Sequence, residues 1–351
     1  MNYRKIIKEF GIGDTVVSMV PIQNGHINVT FLVVTENYKY ILQRINHTVF
    51  KDVKGLMSNF YHITEFLKEN GYCAPQLVKT NKGELYTKEG DMFFRLYSYI
   101  DDVICYEGVH DLKTIYKTGQ SFGILHKSLK NFNAELLNEV IPNFHNTQQR
   151  YLNFLDALKT DKLKRAKTCL PEIQMIKKYK KEYSKIVDGI AKGDIHLSVT
   201  HNDPKINNIL FDKLTGQFKA VIDLDTIMPG SYLYDVGDAL RSLFTGEYED
   251  SKDLSKINVN FDIFEAYVSG YLKEMKDVLN DYEKSLVSFS AFLITMECGI
   301  RFLEDYLRGD VYFHTSYSDH NLVRARTQIK LASQIYDLLP QLDEIVNESL
   351  K

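Results

Sequence analysis

The stretch VTHNDPKINNILFD at residues 199–212, followed by VIDLDTIMPG at 221–230, sets a histidine, amides and carboxylates between apolar runs that read as buried strands. Carboxylates near a core are costly unless something cationic meets them, and a metal-bound phosphate would do so. His201, Asp203 and Asn208 stand in the spacing H-x-D-x-x-x-x-N, and Asp223 follows on the next apolar run. A polar turn between two strands uses the same residue types. The second strand at the right distance, AVIDLD, favours a chemical role over a plain turn.

Upstream of this stretch the chain is patterned as a sheet with one long helix. TVVSMVPI (15–22), VTFLVVT (29–35) and YKYILQRI (38–45) are rich in β-branched and aromatic residues and predict three strands in antiparallel order. Val53, Leu56, Met57, Phe60, Ile63, Phe66 and Leu67 then recur at helical spacing, with Asp52 placed to cap the start and Gly71 the end. QLVKT, LYT and DMFFRLYSYI predict further strands. After residue 100 the pattern changes to long helical segments, interrupted by strand-like pieces around 197–200, 209–212 and 219–223. The expected organisation is therefore α+β: a lobe over 1–100 built on a small antiparallel sheet, and a mainly helical lobe over 101–351.

Composition narrows the function classes. With 351 residues, 44% hydrophobic and 25% charged, the chain suits two folded domains. A net charge of −3 provides no general basic field for nucleic acid or an anionic membrane. The basic runs DKLKRAK (161–167) and KKYKKEY (177–183) read as solvated helix faces. No secretory h-region is visible, and the longest greasy stretch, near residue 290, is short for a membrane span and carries Glu297. A cytoplasmic location is expected. Cys73, Cys105, Cys169 and Cys298 are widely spaced, which argues against a zinc site or a disulfide framework.

The catalytic-loop spacing plus a carboxylate on the following strand is the layout of a kinase. Such chemistry needs a carboxylate to orient and deprotonate the acceptor hydroxyl, and an amide oxygen with a second carboxylate to hold magnesium on the phosphates. Asp203 is the candidate base, and Asn208 and Asp223 the candidate metal ligands.

The run THNDPKINNILFD…VIDLDTIMPGSYLYDVGDALRS resembles the aminoglycoside phosphotransferase superfamily, which has the protein-kinase-like fold, and more closely its N-acetylhexosamine 1-kinase branch. GHIN (25–28), ILQRIN (41–46), YDVGDALR (234–241) and RFLEDYLRGDVYF (301–313) match that branch in order. The resemblance implies a two-lobed kinase that moves the γ-phosphoryl of ATP, with Mg2+, to the anomeric hydroxyl of N-acetylglucosamine or N-acetylgalactosamine. It implies Asp203 as base, Asn208 and Asp223 as magnesium ligands, and His201 and Asp235 as internal braces, the histidine hydrogen-bonding the second aspartate to set the loop. Gly25 would let the backbone close over phosphates, Arg44 stands where the branch has a phosphate-gripping lysine, and adenine would lie against the hinge at Tyr97, Tyr99 and Asp101. Arg301, Tyr312 and His26 would contact the sugar beside Asp203.

Asp225 is open between a second metal site and a loop-fixing role. Ser58 and Asn59 occupy the helix positions where related kinases carry a glutamate, so the usual ion pair with the small-lobe cation is absent, replaced by an amide contact, or made by another residue. Glu297, Arg301 and Asp305 recur every four residues, with Arg308 near one turn on, and predict a polar stripe lining a cleft. Two alternatives stand beside the sugar kinase. One is a kinase of the same fold acting on an aminoglycoside, choline or homoserine; the other is a pseudokinase that senses nucleotide or sugar.

Overall fold

The computed structural model describes residues 3–22, 27–108, 111–244 and 249–351. In chain order the elements are α1 (Tyr3–Ile7), β1 (Val16–Ile22), β2 (Val29–Thr35), β3 (Lys39–Ile45), α2 (Val53–Glu69), β4 (Leu77–Val78), β5 (Thr87–Glu89), β6 (Met92–Ser98) and β7 (Val103–Ile104). Then come α3 (Leu112–Leu129), α4 (Thr147–Thr160), α5 (Leu170–Lys178), α6 (Lys185–Lys192), β8 (Ser198–Thr200), β9 (Ile209–Asp212), β10 (Phe218–Val221) and β11 (Met228–Gly230). Helices α7 (Tyr232–Leu243), α8 (Phe261–Met275), α9 (Asp281–Lys284), α10 (Val287–Arg308), α11 (His320–Asp337) and α12 (Leu339–Ser349) complete the chain.

The chain forms two compact units. The first comprises Met1–Tyr106, Asn131–Pro142 and Asn207–Pro229, and the second Glu107–Lys130, Asn143–Ile206 and Gly230–Lys351. The first unit thus runs past the break expected at residue 100 and also collects two later segments.

In the first unit an antiparallel sheet runs β1-β2-β3-β6-β4, with β5 on β6. Strand alternation gives it two faces. Leu42, Phe94 and Leu96 join Val33 against Ile6, Ile7 and Phe10 to form one small core. On the other face Tyr97 meets Phe60 of α2, ring centroids 5.6 Å apart. Helix α2 starts where Asp52 accepts from the Gly55 N–H at 2.9 Å, and the chain turns away at Gly71, whose φ of +78° suits a residue without a side chain. A second sheet, β10-β9-β7, belongs to the same unit.

The second unit is helical around one apolar core that includes Phe264, Tyr267, Phe292, Ile300, Leu303 and Ile335. Helix α10 is buried along most of its 22 residues. Helices α3 and α8 cross closely, because glycines stand at the crossing: a Cβ on Gly119 would overlap the Tyr267 carbonyl, and one on Gly270 the Tyr116 carbonyl.

Candidate active site

The candidate metal ligands belong to the first unit and leave one end of the β9–β10 pair. Ile209 lies opposite Val221, and the Ile222 N–H donates to the Asn208 carbonyl at 2.8 Å, so Asn208 and Asp223 stand at the same level. Asp223 has φ 60° and ψ 57°, a left-handed conformation uncommon outside glycine and more often visited by Asp or Asn. Its residue is exposed, while Asn208 is 6% exposed. An amide oxygen and a carboxylate are hard oxygen donors, and a partial set of that kind suits magnesium, which keeps waters and phosphate oxygens as its other ligands. Among the described residues no group of three or more His, Cys, Asp or Glu could hold a metal ion by itself.

Two residues beyond Asp223, Asp225 faces inward. Its Oδ1 lies 2.5 Å from Arg95 Nη1, and its Oδ2 accepts from Asn28 Nδ2 at 2.6 Å. Arg95, on β6, also directs Nε and Nη2 to Gln43 Oε1 at 2.9 and 2.6 Å. Burial alone would lower the Arg95 pKa, but the charge of Asp225 outweighs it and the guanidinium is held above its ordinary value. The Phe60 ring centroid lies 4.9 Å from the guanidinium carbon.

These contacts correct the expectation for Arg44. Register pairs Gln43 with Arg95 and Arg44 with Phe94, so Gln43 and Arg44 face opposite sides of β3. Arg44 reaches Met92 Sδ at 3.8 Å on the α1 face, and the cation on the α2 face is Arg95. On α2, Asn59 Nδ2 donates to the Ile227 and Asn138 carbonyls at 2.9 and 2.8 Å.

Tyr97 lies in this same inner layer, its ring centroid 5.7 Å from Arg95, and burial raises its phenol pKa. Tyr99 and Asp101 lie further along and are exposed, with Lys39 Nζ 5.6 Å from the Tyr99 ring and 2.6 Å from Asp101 Oδ1. Gly25 and His26 lie outside the described residues.

The candidate base belongs to the second unit. Asp235, on α7, accepts the His201 N–H on Oδ2 and the Asn202 N–H on Oδ1, both at 2.7 Å. His201 therefore binds Asp235 through its main chain. Its ring Nδ1 accepts from the Asp203 N–H at 3.2 Å. The His126 imidazole also lies on Asp235, with Nε2 2.8 Å from Oδ2 and Nδ1 2.9 Å from the Tyr271 hydroxyl. Asp203 itself keeps 28% of its side chain exposed and pairs with Lys205 Nζ at 2.6 Å. The loop backbone is thus clamped from below while the carboxylate remains accessible.

Around this loop the second unit gathers the candidate acceptor residues. Asp238 pairs with Arg241 at 2.8 Å. Burial would raise its carboxyl pKa, yet Arg241, His145 and Lys205 hold it below the usual range. Glu297 is buried, with Oε1 2.9 Å from His145 Nδ1 and Oε2 accepting from the Thr147 hydroxyl at 2.5 Å. Burial pushes its carboxyl up, and His145, Thr147 and Arg150 together bring it below its ordinary value.

The polar stripe divides accordingly. Glu297 and Asp305 are used internally, the latter accepting from the main-chain N–H groups of Val311, Tyr312 and Phe313 at 2.8–2.9 Å. Arg308 pairs with Glu304 and Asp156. Arg301 differs: its guanidinium carbon lies 5.4 Å from the Phe144 ring centroid and 5.5 Å from that of Phe313. Tyr312, 68% exposed, follows the bonds that fix its backbone to Asp305.

Several residues here were not singled out from sequence: Arg95, Asn28, Lys205, His126 and His145. Arg95 had a signal, since a lone arginine inside the apolar strand MFFRLYS must find a buried partner. His126 had none, because 109 residues separate it from Asp235.

Comparison with known proteins fits this geometry. A family model described as "Phosphotransferase enzyme family" matches residues 18–261. An aminoglycoside phosphotransferase from Alicyclobacillus acidocaldarius subsp. acidocaldarius DSM 446 superposes with a TM-score of 0.63 at 12% identity, over 98% of this chain and 96% of that one. A choline kinase from Cryptosporidium parvum Iowa II gives 0.58 at 15% identity, over 95% and 93% of the two chains. An ethanolamine kinase from Plasmodium vivax gives 0.55 at 14% identity, over 89% and 82%. Identities this low speak to the fold, which is protein-kinase-like. The family model spans more than half of the chain, and with the catalytic-loop spacing in place the chain belongs to the phosphotransferase enzyme family.

Proposed function

We propose that the protein is an ATP-dependent kinase that phosphorylates the anomeric C1 hydroxyl of N-acetylhexosamines, giving the sugar 1-phosphate and ADP. Asp203 orients the C1 hydroxyl and takes its proton as the oxygen attacks the γ-phosphorus. The new bond is C1–O–P, and the bond broken joins the γ-phosphorus to the bridging oxygen that leaves with ADP. A hemiacetal hydroxyl is more acidic than an ordinary alcohol, so a carboxylate base suffices. Asn208 and Asp223 would hold magnesium, which neutralises phosphate charge when bound. The rest of the catalysis is positioning, which the clamp of Asp235 on the 201–202 backbone provides.

The observation that supports a neutral acceptor is the state of the buried carboxylates of the second unit. Asp238 is bound to Arg241, Glu297 to His145 and Thr147, and Asp305 to main-chain N–H groups. Arg150 and Arg301 add positive charge close to Glu297 and Tyr312. A polycationic aminoglycoside calls for uncommitted carboxylates, whereas hydroxyls and an acetamide suit an arginine held between two aromatic rings and a neighbouring tyrosine.

The test is a phosphorus NMR time course with ATP, magnesium and either N-acetylglucosamine or N-acetylgalactosamine, beside a no-sugar control. A new anomeric phosphate resonance coupled to H1 is expected. Silence with both sugars and turnover of choline, homoserine or an aminoglycoside would move the protein to that acceptor class. Nucleotide binding without turnover of any of them would make it a sensor.

A further inference from the structure

Asp225 stands where an acidic side chain has two readings, a second metal ligand or an internal counterion. Both of its oxygens are engaged, Oδ1 by the Arg95 guanidinium and Oδ2 by the Asn28 amide, and its side chain is 4% exposed against 1% for Arg95. Asp225 is the carboxylate in direct contact with Arg95, with the charge of Asp223 a smaller influence, and the other bonds of the guanidinium go to Gln43, which itself donates to Thr30 Oγ1 at 3.0 Å. Turning the Asp225 carboxylate toward a metal would take from the buried guanidinium its direct counterion, and breaking a buried pair is strongly unfavourable.

The same contacts tie the turn Leu224–Thr226 to the sheet. Asn28 closes the GHIN segment, and its Oδ1 accepts from the Asn46 N–H at 2.9 Å, so it joins the end of β3 to Asp225. On the far side of the turn the Ile227 carbonyl is held by Asn59 of α2. Asp223, in its left-handed conformation, begins the turn that these two tethers fix.

We infer that Asp225 is a positioning residue: with Arg95 and Asn28 it pins the turn that presents Asp223, and it does not itself ligate the metal. The inference rests on the kinase reading for the identity of what Asp223 binds.

The experiment measures Mn2+ bound per protein in the presence of ADP, by electron paramagnetic resonance, together with thermal unfolding in the absence of nucleotide. The proteins are wild type, Asp223→Asn, Asp225→Asn, Arg95→Lys, Arg95→Met and the double variant Arg95→Met/Asp225→Leu. Asp223→Asn is expected to lose Mn2+. Asp225→Asn and Arg95→Met are each expected to weaken Mn2+ binding by about 10–100-fold, the range for groups that orient a metal ligand, at unchanged stoichiometry. Both should melt lower than wild type, Arg95→Lys should retain most of the binding, and the double variant should be no worse than either single one in both readouts. Fewer bound ions in Asp225→Asn with the full number in Arg95→Met overturns the inference, as do additive losses in the double variant. Should Arg95→Met not fold, Arg95→Lys against Asp225→Asn makes the same comparison of stoichiometry. Wild-type protein that binds no Mn2+ with ADP overturns the kinase reading and the inference with it.

Discussion

At the scale of single residues the candidate base is defined by what holds it. Asp235 fixes the backbone on either side of the His201–Asn202 bond, His126 and Tyr271 fix Asp235, and Asp203 is left with an accessible carboxylate beside Lys205. Asp203→Asn preserves shape and removes the proton acceptor. Turnover is expected to fall by about 10²–10⁴-fold, with ATP affinity kept within a few-fold of wild type. Steady-state rates beside isothermal titration with ATP check this, and full activity in the variant would take Asp203 out of the role. The residues of this loop were legible because they lie within eight positions of one another. Of its braces, Asp235 was named only through the resemblance and His126 not at all, since the main-chain donors that Asp235 takes have no residue type to read.

At the scale of elements, strand alternation decided what the sequence left open. Arg44 and Gln43 are neighbours in the chain, and a cation on β3 is a natural candidate for the phosphates, but the register with β6 sends Arg44 to the α1 face and leaves Gln43 facing Arg95. Only a pairing partner 52 residues away settles which of the two faces α2. The helices α3 and α8 show the converse case, in which the crossing depends on a residue that has no side chain. Gly119→Ala would push a methyl into the Tyr267 carbonyl, and backbone cannot move aside as a flexible side chain can. The expected loss is about 1–3 kcal/mol, as for overpacking elsewhere. It would be read as a lower urea midpoint with an unchanged m-value, and an unchanged midpoint would mean that the crossing relaxes.

At the scale of the whole molecule, the sheet, the long helix and the change to helices after residue 100 were all legible as periodicity, because each is local. The assignment of 131–142 to the first unit was not: Asn138 belongs there through its bonds to Asn59, 79 residues away, and nothing in its own segment announces them. Stability as a function of pH is also a property of the molecule, and Glu297 shows its sign. The carboxyl is buried in the helical unit with His145, Thr147 and Arg150 around it, and its pKa in the folded protein is lowered from 4.5. A group depressed on folding contributes stability above its unfolded pKa and loses it as pH falls through the folded value. Glu297→Gln keeps the volume and removes the charge, so it is expected to be less stable than wild type at pH 7, by about 1–3 kcal/mol if the His145 and Thr147 bonds are weakened. Below about pH 4.5 the difference should shrink, because the wild-type carboxylate is then losing its advantage, at a rate of at most about 1.4 kcal/mol per pH unit for one proton. Urea midpoints for both proteins from pH 7 down to pH 3.5 measure the gap directly. A gap that stays constant over that range would mean that Glu297 stabilises the helical unit by packing and not by charge.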